Sequence, residues 1–145
     1  MSLEQLRREI EQREEEGNEE YRRELISEAC LAHLFGGEEN NLAYYLLDVF
    51  RLEFGGEEEK MRGIDGAIKR KLENFLETCE YEFNQSIPTI VNSSSLINEA
   101  RLMFIGLYHT LGGENSGIEA EIGEVCGDRV LALCDVVDRI NRDFR

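Results

Sequence analysis

The chain has 145 residues, 41% of them hydrophobic, with 13 Gly and a single Pro, a composition that argues against disorder and suits one domain with its own core. Acidic residues outnumber basic ones 31 to 16, for a net charge of −15, so the long-range field repels nucleic-acid phosphates and anionic membranes and suits a basic protein partner. No apolar run approaches the ~20 residues that cross a bilayer, and the polar N-terminus lacks a signal-peptide core, so the protein is expected in the cytoplasm.

The first predicted element runs from Ser2 to about Glu16, with Leu3, Leu6 and Ile10 at helical spacing. Beyond Ile10 there is nothing to bury, and Gly17-Asn18 predicts a break. Residues 1–17 are therefore expected as an acidic helical segment, partly detached within a single domain of 1–145. From Glu19 to Phe35 a second amphipathic helix places Tyr21, Leu25, Ile26, Ala29, Cys30 and Leu34 on one stripe, with His33 at its edge.

Three tripeptides punctuate the rest of the chain: Gly36-Gly37-Glu38, Gly55-Gly56-Glu57 and Gly112-Gly113-Glu114, each preceded by Phe or Leu. They read as helix ends, the first glycine of each taking a left-handed conformation. Between the first two, Leu42, Leu46, Val49, Phe50 and Phe54 predict a well-buried helix. Glu57 to Phe83 predicts a long helix with a kink near Gly63 and Gly66. A connector from Asn84 to Ser95 contains Pro88 and a serine cluster, one member of which is expected to cap the next helix. Residues 96–111 include the run Leu102 to Tyr108, apolar on every side, which places this central hydrophobic helix in the middle of the bundle. The last helix starts at Asn115-Ser116 and runs almost to Arg145. The expected fold is an all-α bundle of five to six helices.

Cys30, Cys79, Cys126 and Cys134 each lie in an apolar helical pattern, with no two at metal-ligand spacing, and are expected as reduced core thiols. Neither His33 nor His109 has a carboxylate three residues earlier, so the paired Glu-x-x-His of di-iron bundles is missing. The run His109-Thr110-Leu111-Gly112-Gly113 resembles the His-x-Leu-Lys-Gly motif of histidine phosphotransfer domains, with Gly112 where that family has Lys. The resemblance implies a phosphoryl-accepting His109.

On the last helix, Glu121, Glu124 and Asp128 are spaced to project from neighbouring turns, where they could hold magnesium. The stretch Glu124 to Leu131 resembles the second acidic motif, Glu-x-x-Asp, of all-α nucleoside triphosphate pyrophosphatases, one residue longer. Glu15, Glu16 and Glu19 match that family's Glu-Glu-x-x-Glu. The resemblance implies a magnesium-dependent nucleotide or phosphate hydrolase, its cage completed by Glu24 or Glu28. The residues themselves favour a non-catalytic interaction or assembly protein that self-associates or binds a basic partner and needs no cofactor. An acidic mimic of a nucleic-acid surface is the other alternative.

Overall fold

The first helix, α1 (Leu3–Leu34), begins at a capping box: the Ser2 hydroxyl accepts from the Gln5 backbone N–H at 3.2 Å, and the Ser2 N–H donates to the Gln5 side chain at 3.0 Å. Two orphan donors of the first turn are thereby satisfied. The helix then runs unbroken for 32 residues. Gly17 does not end it, contrary to the sequence expectation. A glycine inside a helix costs about 1 kcal/mol, whereas stopping would require a second, costly nucleation among Glu and Arg residues that favour the helix.

The computed structural model describes residues 2–36, 40–85 and 90–144. Among them stand four further helices: α2 (Leu42–Phe54), α3 (Glu58–Phe83), α4 (Ser93–Thr110) and α5 (Ser116–Asp143). Asparagines start three of these. Asn41 accepts from the Tyr44 N–H at 2.8 Å, Asn92 from Ser95 at 3.3 Å, and Asn115 from Gly117 at 2.9 Å and Ile118 at 3.3 Å. The cap of α4 is thus Asn92 rather than one of the serines. α3 continues through Gly63 and Gly66, so the expected kink does not end the helix.

The glycine doublets separate helices, though not all by the same means. Gly36 (φ 129°) and Gly112 (φ 93°) are left-handed, as the pattern predicts. Gly55 is right-handed at φ −67° and closes α2 differently. A Cβ there would sit 2.5 Å from the Arg51 carbonyl oxygen, so this position needs glycine for space. Gly37 and Glu38 lie outside the described residues.

The core combines Ile26, Cys30 and Leu34 of α1 with Leu46 and Phe50 of α2, Ile68, Leu72 and Phe75 of α3, Phe104 and Tyr108 of α4, and Ile122, Val130 and Val137 of α5. The helix in the middle is α5, which packs against α1, α2 and α4. The sequence assigned that place to residues 96–111. α4 instead leans mainly on α5, with a smaller contact to α3, and its Leu102 is 78% exposed. An apolar residue on the outer face therefore reflected an uncovered surface rather than a surrounded helix. Close approach of α4 and α5 is permitted by Gly123 and Gly127. Arg101 lies across them, its Nε donating to the Gly123 carbonyl at 2.9 Å, and a Cβ on Gly127 would fall 2.7 Å from its guanidinium.

Candidate interaction surface

Glu121, Glu124 and Asp128 are all exposed. At about 100° per residue they share the face of α5 opposite its buried side chains, a convex stripe with no opposing wall among the described residues. The antiparallel pairing of α1 and α5 decides whether other carboxylates can join them. Arg22 contacts Asn141, and Cys30 neighbours Cys134 in the core. Glu24 and Glu28 are therefore level with the last third of α5, roughly 10 Å or more along the axis from Asp128. Among the described residues no group of three or more His, Cys, Asp or Glu side chains is arranged to hold a metal ion, so the magnesium cage is not assembled there. Asp135 and Asp138 instead line an open depression of about 500 Å³ with Ile90, Arg139 and Arg142, where Asp138 is already engaged by the Val91 N–H at 2.9 Å.

His109 sits in the tight corner between α4 and α5. Its Nδ1 faces the Gly113 carbonyl at 3.1 Å and its Nε2 faces Glu119 at 2.6 Å. Both ring nitrogens are engaged, and the nearby ionic group is a carboxylate. This is the reverse of the free nitrogen and cationic neighbour that phosphoryl transfer needs. Beside it, the buried Tyr108 hydroxyl donates to Glu53 on α2 and accepts from the Asn115 N–H at 3.0 Å. Burial, helped by the Glu53 hydrogen bond, raises the Tyr108 pKa. Gly113 makes the corner possible, since a Cβ there would overlap the Tyr108 ring at 2.2 Å. The network joins α2, α4 and α5, a structural task.

All four cysteines are free and buried. Burial pushes the thiols of Cys30, Cys126 and Cys134 up to about 12, and that of Cys79 higher still. Such thiols are poor nucleophiles and metal ligands. His33 is half-buried at the edge of the core stripe of α1.

The most consequential polar residue is one that sequence pattern did not single out. Arg22 is completely buried. Its Nε and Nη2 grip the Glu19 carboxylate at 3.0 and 2.6 Å, while Nη1 donates to the Phe83 carbonyl at 3.2 Å and to the Asn141 side chain at 2.9 Å. Phe83 ends α3 and Asn141 lies in the last turn of α5. A cation is thus placed where two helix C-termini present negative dipole ends. The guanidinium hydrogen bond holds the Glu19 carboxyl below its usual range, against the opposing pull of burial. One signal for this role was available: Arg22, Ile26, Cys30 and Leu34 recur every four residues. In a stretch crowded with Arg and Glu it read as surface.

Arg22 also marks where α1 leaves the bundle. Residues 2–18 are exposed without exception. Within them Leu3 is 81%, Leu6 45% and Ile10 47% exposed, an apolar stripe that no described side chain covers. Eight Glu and three Arg lie between residues 2 and 20. Free helices of this length are marginal in water. This one is supported by its capping box and by continuity with the docked half, which supplies the nucleus. Set against protein-family models, curated proteins and solved structures, the chain matches none of them.

Proposed function

We propose that this is a non-catalytic interaction or assembly protein of the cytoplasm, with a helical bundle as the platform and a basic protein as the partner. The observation that carries the reading is the capped, solvent-surrounded first half of α1, which keeps Leu3, Leu6 and Ile10 in water. An uncovered apolar stripe on an ordered element is what a binding surface requires. The net charge of −15 selects for a cationic counterpart and speeds its approach. No cofactor enters this role.

The test is reconstitution. A partner identified by crosslinking and then purified should form a complex of fixed stoichiometry with the full chain and lose it when residues 2–18 are removed. Salt should weaken the association. The reading fails if no partner can be reconstituted. It also fails if calorimetry with magnesium and nucleotides gives heat that Glu124→Gln and Asp128→Asn abolish, the outcome expected of a hydrolase.

A further inference from the structure

The apolar face of α1 changes sides along its length. At about 100° per residue, Leu3, Leu6 and Ile10 point roughly 170° away from Arg22, Ile26, Cys30 and Leu34. The free stripe is therefore not a continuation of the face that docks on the bundle. Toward the bundle this side ends at Tyr21, whose ring lies 6.0 Å from that of Phe144 at the end of α5, and from residue 18 back to residue 2 every described residue on it is exposed. Gly17 falls on the free face too, and a Cβ added there would meet nothing within 4 Å. Packing inside this chain does not call for glycine at that position.

Resting on the interaction reading, we propose that the Leu3–Leu6–Ile10 face, extended by Gly17, seats in an apolar groove rimmed by Lys and Arg on a different protein. Charge and area choose this occupant over a second copy. Glu9, Glu14 and Glu20 flank the stripe, against Arg7 and Arg13, so two copies would bring no charge complementarity together and would add repulsion between chains of net charge −15. Three aliphatic side chains also fall short of the roughly 800 Å² per partner that a stable interface buries. A groove that wraps the helix gains contact from the flanks, and basic rims pair with the glutamates. Spacings of three and seven residues are the anchor pattern of a helix in such a groove, and Gly17 lets the far wall come close. The capping box reduces the ordering cost, because the helix is formed before binding.

The probe is a Leu/Lys helical peptide, Leu at heptad positions a and d and Lys at e and g, with a Ser/Lys peptide of equal charge as control. Fluorescence anisotropy with the full-length protein at about 150 mM salt reads the affinity. The Leu/Lys peptide should bind, and the Ser/Lys peptide should bind at least about tenfold more weakly. Leu6→Ser/Ile10→Ser should cost about tenfold or more, and Glu14→Lys/Glu20→Lys should weaken binding and flatten its salt dependence. Leu102→Ser, which removes a still more exposed leucine on α4, should change nothing. All substituted residues are exposed, so circular dichroism melts should match the parent.

Equal binding of the two peptides, or loss with Leu102→Ser in place of Leu6→Ser/Ile10→Ser, would overturn the assignment of this face. The interaction reading would survive that result. Failure of the parent to bind any cationic probe or reconstituted partner would remove both. A dimer in sedimentation velocity that disperses with Leu6→Ser/Ile10→Ser would make the occupant a second copy and refute the basic groove.

Discussion

Between residues 22 and 34, α1 buries Arg22, Ile26, Cys30 and Leu34 against α5 and α3, whereas between 2 and 18 the same helix buries nothing. The residue types barely differ, with aliphatics at helical spacing among Arg and Glu in both halves. What differs is whether a complementary surface lies alongside. Arg22 is interior because a carbonyl, an amide and a carboxylate converge on it, and Arg13, with none of these, stays in water. Burial is thus decided by partners in space as much as by hydropathy.

The arginines give the sharpest test of that contrast. Arg22→Met should cost about 2–4 kcal/mol, because the Phe83 carbonyl and the Asn141 side chain lose their buried donor, while Glu19 keeps only the exposed Arg23. Arg13→Met should stay within about 0.5 kcal/mol of the parent. Urea unfolding monitored at the helical band measures both. Comparable losses would mean that the outer half is held as firmly as the inner one.

Glycines extend the comparison to smaller effects of opposite sign. Gly113→Ala forces a methyl into the ring of Tyr108, which cannot swing aside because its hydroxyl is tied to both Glu53 and Asn115; a loss of about 2 kcal/mol is expected. Gly17→Ala meets open space and should stabilise the helix by up to about 1 kcal/mol. Thermal melts should therefore move in opposite directions. A Gly17→Ala variant less stable than the parent would show that this face is already in contact with something.

Much of the fold was readable because its cause is local. The stripes Met61–Ile64–Ile68–Leu72–Phe75–Leu76–Cys79–Phe83 and Leu42–Leu46–Val49–Phe50–Phe54 needed only their own spacing, and all of these residues are buried except Met61 and Leu76, which are half-buried against the core. Reading failed where the deciding partner is distant. Arg22 is explained by Phe83 and Asn141, 61 and 119 residues away. The central position of α5, and the outward turn of Leu102, depend on how α4 leans on a groove opened by Gly123 and Gly127. Gly17 misled for the opposite reason. The local penalty for glycine is real, but the cost of starting a new helix exceeds it. The acidic stripe Glu121, Glu124 and Asp128 was correctly placed on one helix face, yet no spacing rule could say whether another element would close over it.

The smallest effect concerns protons and returns to the junction between the two halves. In the folded chain Arg22 holds the Glu19 carboxyl below its ordinary range, so the unfolded chain takes up a proton there more readily than the folded one. The stabilisation is therefore complete above the ordinary carboxylate range and is lost as pH falls through it toward the lowered folded value. Because Glu19 is 39% exposed, water screens the pair and the change should be modest. Urea midpoints between about pH 7 and pH 3 should fall less steeply for Glu19→Gln than for the parent, and Arg22→Met should flatten the curve in the same way despite its lower starting stability. If Glu19→Gln leaves the slope intact, the ion pair at the point where α1 departs from the bundle contributes nothing to acid sensitivity, and the inner half is held by its apolar core and by the Phe83 and Asn141 contacts of Arg22.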